Sequence, residues 1–201
     1  MNSLDDVFQV IYKRNLWGVE ETVSGYGSTL EFTANIRKQL PVLLKDLGVV
    51  TVLDAGCGDW NWMSNIDLSD FKVWACDIVN DLILEDYRKY KNQAQFFTAD
   101  ITSDALPGAD LILCRTVLFH LSNEHIFRAL SNFKRCGATW LLMTNHPRES
   151  VNVDIPDGSW RRINFQAIPF AFPKPSQSLI DGPGIDGELS LWPISHLAGL
   201  I

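Results

Sequence analysis

Three carboxylates stand at matched places in the first half of the chain. Each follows an apolar, strand-like run: Asp54 after residues 49–53, Asp77 after 71–76, and Asp100 just past 94–98. The first run is rich in β-branched residues, which suits a strand buried on both faces of a parallel sheet. It breaks into Gly56-Cys57-Gly58. Glycines directly after a buried strand let the backbone turn tightly and approach a ligand closely. An acid about 20 positions past such a turn is where nucleotide-binding α/β folds hold a ribose diol. The candidate ligand-binding set is Asp54, Gly56, Cys57, Gly58, Asp77, Ile78, Asp100 and Ile101, joined by Arg115 at the end of a fourth run, 109–114. A dinucleotide fingerprint wants a third glycine at position 61, and Asn61 stands there, which counts against NAD.

Two histidines sit where runs four and five end. A histidine with a pKa near neutrality suits the removal of a hydroxyl proton. His120 is the first candidate base and His146 the second. The alternative for each is a local hydrogen bond that orders its turn. Arg115 either grips an anionic ligand group or forms a salt bridge to Asp54 or Asp100. Trp160 and Arg161, with Arg162 and Asn164, lie on a late loop and offer an aromatic beside two cations. Near the start, Ser24-Gly25-Tyr26-Gly27-Ser28 is either a flexible turn or a lid whose amides hold an anion, with Trp17, Tyr26 and Ser28 closing over the site. Trp60, Trp62 and Met63 read as packing residues.

The elements that position these groups follow from periodicity and punctuation. Ser3 with Asp6 predicts a capped helix over 3–13. Ser28 with Glu31 predicts a second helix from about residue 29, kinked or restarted at Pro41. A short helix is expected over 59–66, its N-terminus aimed at the ligand site. Further helices are expected over 81–90, with Leu82, Ile83 and Tyr87 on one side, and from Ser122 to about Arg135, ended by Gly137. Seven of the nine prolines fall from Pro147 onward, so an ordered loop over 152–172 replaces a helix before strands at 176–180 and 189–192.

The ordered set Asp54, Gly56, Gly58, Asp77, Asp100 and Ile101 resembles the class I S-adenosylmethionine-dependent methyltransferases over roughly residues 45–145. The resemblance implies a doubly wound α/β fold, a Rossmann-like, mostly parallel seven-stranded sheet whose last strand is antiparallel, under an N-terminal helical lid. It also implies that the glycine loop faces the methionine part of S-adenosylmethionine, Asp77 the ribose hydroxyls and Asp100 the adenine amino group. Nearly the whole chain further resembles a small bacterial group of methyltransferases. It carries that group's Ile11-Tyr12 with Trp17-Gly18, its Ser24–Ser28 loop, His120-Leu121-Ser122, Trp160 to Asn164, and Pro169-Phe170. Where such proteins often have an Asp after the strand-four Arg, this chain has Thr116. The resemblance leads us to expect one domain with a lid over 1–47, a cofactor-binding core over 48–146 and a substrate-side region over 147–201. The implied activity is O-methylation of a small molecule or sugar. The rivals are an NAD- or nucleotide-sugar-dependent enzyme, and a cofactor-binding subunit without catalysis.

Composition narrows the classes. The 201 residues suit one domain, and 46% hydrophobic with 20% charged residues is ordinary for a soluble globule. A net charge of −7 argues against a nonspecific grip on nucleic acid. No apolar run approaches the ~18 residues of a membrane span. Four cysteines without a C-x-x-C pair read as reduced core residues of a cytoplasmic protein, with no metal site. Oligomeric state is left open.

Overall fold

The apolar run enters the sheet as β1 (Thr51–Ala55), one residue pair later than its hydrophobicity alone indicates, so that Asp54 lies inside the strand. In the computed structural model, which describes residues 3–183, 187–197 and 199, β1 pairs in parallel with β2 (Lys72–Asp77) on one side and with β4 (Leu111–Cys114) on the other. Outside them lie β3 (Gln95–Thr98) and β5 (Trp140–Asn145), also parallel. The last two strands, β6 (Gln177–Ile180) and β7 (Glu188–Pro193), complete a seven-stranded sheet of order 3-2-1-4-5-7-6. As the resemblance implies, β7 is antiparallel to its neighbours, here β5 and β6.

Both faces of the sheet are covered, which explains the continuous apolar strands. One core packs α2 (Ala34–Asp46) and α3 (Asn80–Tyr90) against the sheet through Ile36, Leu40, Leu43, Leu44 and Ile83. The other packs α4 (Asn123–Arg135) through Ile126, Ala129, Leu130 and Phe133. The proline-rich loop finishes that second face. Phe165, Phe170 and Phe172 stack among themselves and against Trp192 of β7, with ring centroids 5.0–6.4 Å apart. Each buried ring is worth roughly 2–3 kcal/mol of transfer free energy, so this loop does the work of the missing helix. Among the described residues no helix is long and apolar enough to cross a membrane.

The helix ends legible in local spacing form as expected. Ser3 and Asp6 make a reciprocal capping box on α1 (Leu4–Lys13), and Ser122 caps α4 through the His125 amide. Four other expectations are corrected. The second helix starts at Ala34, not near Thr29: the Phe32 amide does bond the Thr29 hydroxyl, but residues 30–33 form only a turn. It then runs through Pro41 as one helix: the buried stripe of Ile36, Leu40, Leu43 and Leu44 outweighs the ~3 kcal/mol that an interior proline costs. Residues 59–66 do not form an α-helix. Buried Trp60 adopts a left-handed φ of 56°, and only a 3-10 turn at Met63–Asn65 follows. Tyr87 of α3 is exposed, and Asp86 occupies the buried face instead.

Asp86 is fully buried and neither carboxylate oxygen has a partner. Burial, with Asp59 and Asp77 nearby, pushes its pKa up to about 8, so it is protonated at neutral pH. An unsatisfied buried polar group costs about 1–3 kcal/mol. Asp86→Leu is therefore expected to stabilise the fold by about 1 kcal/mol or more, read as a raised midpoint in urea at unchanged m-value.

Candidate active site

A cavity of about 620 Å³ opens over the carboxyl ends of the strands. The strand order reverses between β1 and β4, which is where open α/β sheets bind ligands. One half of the cavity lies over β1, β2 and β3, the other over β4 and β5.

In the first half the chain leaves β1 in a tight turn, with the Gly56 and Cys57 amides both donating to the Cys76 carbonyl, at 2.8 and 2.9 Å. Gly56 has φ 88° and abuts Val117, so a side chain there would be strained and would collide. Asp77 then organises the loop. Its carboxylate accepts the Gly58 amide at 3.1 Å and the Val79 amide at 3.0 Å. Burial still raises its pKa, against these amides. Asp100 accepts the Thr102 amide and hydroxyl on one oxygen, at 2.8 and 2.7 Å. Ile78, Val79, Leu82 and Ile101 give this end an apolar lining. Buried Asp54 lines the cavity beside the glycine loop. Burial raises its pKa to about 7; Arg115 pulls it down and Asp77 pushes it up. The Cys57 thiol is buried and pushed well up by desolvation, so it stays a neutral wall.

Arg115 does not pair with Asp54 or Asp100. Its Nε donates to Asp181 at 2.6 Å and its Nη2 to the Gly27 carbonyl at 2.6 Å, with both ion-pair side chains 2% exposed. The guanidinium lies 5.1 Å from the Trp62 ring and 5.9 Å from Phe32, so Trp62 is not only packing. Its third nitrogen, Nη1, is buried without a partner and belongs to a side chain that lines the cavity. An unmet donor on a buried cation is costly unless it finds an acceptor. Next in the chain, Thr116 has φ 57°, a strained value for a β-branched residue, held by its amide on the Thr144 hydroxyl at 2.8 Å.

The N-terminal arm is fastened to the glycine loop by Asp59, which sequence reasoning missed. Its carboxylate accepts the Thr22 hydroxyl (2.7 Å), the Val23 amide (3.0 Å) and the Ser24 hydroxyl (3.0 Å). Asn61, at the place of the absent third glycine, donates to Glu21 and to the Ser28 carbonyl, at 2.7 and 3.0 Å. Ser28 is buried and lines the cavity; Tyr26 is exposed and meets the edge of Phe32 at 5.5 Å. Trp17 lines the far half.

That far half holds both histidines. His120 Nδ1 lies 2.8 Å from the Ser159 carbonyl, which can only accept, so Nδ1 carries the proton and Nε2 is the acceptor. Burial lowers the His120 pKa to about 4, against this bond. His146 Nδ1 lies between the Ile163 amide, 3.2 Å away, and the Ile163 carbonyl, 3.3 Å away, so it has a partner in either tautomer. Burial lowers its pKa as well. Both imidazoles flank Phe119, with centroids 4.5 and 6.0 Å away. Exposed Trp160 meets the edge of Phe119 at 6.2 Å and lines the mouth. Arg161 turns away from the cavity: it donates to the Leu121 carbonyl at 2.7 Å and to Asn123 at 3.0 Å, tying the loop to the start of α4. Its neighbour Arg162 lines the cavity instead, with Glu149 3.4 Å away.

The strand order, the antiparallel β7 and the position of the cavity are those of the class I S-adenosylmethionine-dependent methyltransferase fold, and the chain has that fold. It is similar to human N-acetylserotonin methyltransferase in complex with S-adenosylmethionine, at TM-score 0.59 and 14% identity over 96% of this chain and 60% of that one. It is also similar to magnesium protoporphyrin IX methyltransferase from Synechocystis PCC 6803. The form with bound S-adenosylhomocysteine matches at TM-score 0.54 and 22% identity, over 73% of this chain and 72% of that one. The chain spans 65% of the length of the methyltransferase domain of bacterial CtHen1, at TM-score 0.49 and 15% identity over 55% of this chain. No protein-family model matches the chain, and no curated protein sequence does.

Proposed function

We propose that the chain binds S-adenosylmethionine and methylates a hydroxyl oxygen of a small molecule or sugar. The observation that carries the reading is the division of one cavity into two chemically distinct halves. Over β1–β3 the protein offers the carboxylates of Asp54, Asp77 and Asp100 together with an apolar slot. Over β4 and β5 it offers two imidazoles, that of His120 with Nε2 as an acceptor, and aromatic walls.

The residues present fit the cofactor. Asp77 has acceptor capacity left beyond its two amides and holds the ribose hydroxyls. Asp100 keeps one oxygen for the adenine amino group, with Ile78 and Ile101 against the ring. Arg115 Nη1 takes the amino-acid carboxylate and Asp54 the ammonium group. Bound S-adenosylmethionine supplies an activated sulfonium methyl carbon, so the protein's part is alignment and proton removal, and alignment alone can contribute several kcal/mol. His120 Nε2, with its pKa of about 4, takes the proton only as the attacking oxygen acidifies on bonding the methyl carbon, and later releases it to water. His146 Nε2 bonds a second polar atom of the acceptor and orients it.

A thermal-shift comparison tests the reading. At ligand concentrations about 100 times Kd, S-adenosylhomocysteine should stabilise the protein by about 2.7 kcal/mol, and NAD should not. Stabilisation by NAD alone would overturn the assignment.

A pH dependence follows from Asp54. In the unfolded chain this group loses its proton near 3.8, and in the empty fold near 7. The empty fold therefore loses stability as pH rises through that interval. A ligand ammonium favours the ionised carboxylate, so binding releases a proton below pH ~7. Affinity for S-adenosylhomocysteine is expected to rise by up to about tenfold per pH unit below pH ~7 and to level off above it. Calorimetry at about pH 6 in two buffers of different ionisation enthalpy should count the released proton; a flat profile removes Asp54 from the amine.

A further inference from the structure

Three separate pieces of chain converge on His120. The 3-10 turn Leu118–His120 carries it past β4. The late loop then pairs with that turn: the Gly158 amide donates to the His120 carbonyl at 2.8 Å, and the Arg161 amide to the Phe119 carbonyl at 3.3 Å. The same loop supplies the Ser159 carbonyl that holds Nδ1. From the other side, Trp17 of the N-terminal arm stacks on the imidazole, with centroids 4.3 Å apart and planes 22° from parallel. Phe8 of α1 backs Trp17 edge-on at 6.0 Å. Arm and loop also meet directly, since Gly158 lies against Val7 and Ile11 of α1.

We propose that Trp17 is a positioning residue for His120, so that the base is assembled only when the N-terminal arm and the late loop are both closed over the sheet. Trp17 makes no bond to either ring nitrogen. It covers one face of the imidazole, keeps water off it and holds the ring in the plane that lets Nδ1 reach Ser159. Loss of the stack frees the ring to rotate, and the Nδ1–H tautomer is then no longer enforced. The inference rests on the reading of His120 as the base, and it adds a dependence of that base on closure. A base completed only on closure acts after water has been excluded, which protects the activated methyl group from hydrolysis.

The groups facing His120 are few. Arg161, on the late loop, depresses its protonation slightly, and burial depresses it more. Arg162 on the same loop is paired with Glu149, Asp157 is paired with His125, and His146 lies across Phe119. On α1, Tyr12 is bonded to Glu85. None of these charges is altered by a change at Trp17, so a shift in His120 titration on substitution reports the lost cover.

The experiment is a pH titration of the imidazole signals of the ligand-free protein by NMR, with long-range proton–nitrogen spectra to read the tautomer. In the wild type His120 should titrate near pH 4 as a single Nδ1–H tautomer. In Trp17→Ala the midpoint should rise above about 5, toward the ordinary value near 6.5, and both tautomers should appear. Trp17→Phe, which keeps a ring over the imidazole, should retain the wild-type midpoint and tautomer. A Trp17→Ala protein whose His120 keeps the wild-type midpoint and tautomer overturns the proposal, as does a wild-type His120 that titrates near 6.5. Binding of S-adenosylhomocysteine to the wild type, measured separately by calorimetry, decides the cofactor reading. Because the titration is made without ligand, either result can fail while the other stands.

Discussion

Arg115→Met is expected to lower the stability of the fold by about 3–5 kcal/mol and to weaken S-adenosylhomocysteine binding by about 10- to 100-fold. The two effects have different origins. Stability falls because Asp181, 1% exposed and 2.6 Å from Nε, is left as an uncompensated buried charge. The Gly27 carbonyl loses its donor at the same time, which loosens the arm over the cavity. In the proposed reading affinity falls because Nη1, the one guanidinium nitrogen of Arg115 without a protein partner, donates to the ligand's carboxylate. A double variant separates them. Arg115→Met with Asp181→Leu replaces the pair by apolar groups, which is commonly neutral or stabilising, so most of the lost stability should return. Binding should not return. Chemical denaturation and calorimetry on the three variants read the two quantities independently. Recovery of affinity in the double variant would show that Arg115 serves the fold alone.

Asp77→Asn should do the reverse, with a large loss of affinity and a small change in stability. The carboxylate accepts amides on both oxygens, Gly58 on one and Val79 on the other. An asparagine can accept only one and presents an NH2 to the other donor. The loop would have to shift, and the acceptor for the ribose hydroxyls would be lost with it. A charge-assisted hydrogen bond is worth about 1.5–3 kcal/mol, so the combined loss is expected at about 100-fold or more in Kd. Folding should suffer less than about 1 kcal/mol, because the raised pKa shows that the buried charge is already costly to the empty fold. Wild-type affinity in Asp77→Asn would place the ligand's sugar elsewhere.

Both predictions turn on side chains that differ in how far they could be read in advance. Asp77 was visible because a strand, a glycine turn and an acid at fixed spacing form one local grammar. The same holds for Ser3 and Ser122, whose caps bond to amides three residues away. Capping spacing alone misled at Ser28 and Glu31, where the chain turns through residues 30–33 before the helix begins at Ala34. The helix expected after Gly58 fails because Trp60 is left-handed and Asp59 turns to the arm. Asp181 carried no signal at all. It lies 66 residues from Arg115, in a stretch that reads only as a turn.

By itself the sequence determined the sheet and the place of its open end, since strand and cap signals are written in spacings of two to four residues and buried strands must be apolar throughout. Only the tertiary structure decided which partner each charged or titratable group takes. Asp181 captures Arg115, Ser159 sets the tautomer of His120, and Arg161 turns to α4 while Arg162 faces the cavity. Ion pairs and tautomers depend on distances across the fold and on burial, and neither quantity exists until strands, arm and late loop have packed together.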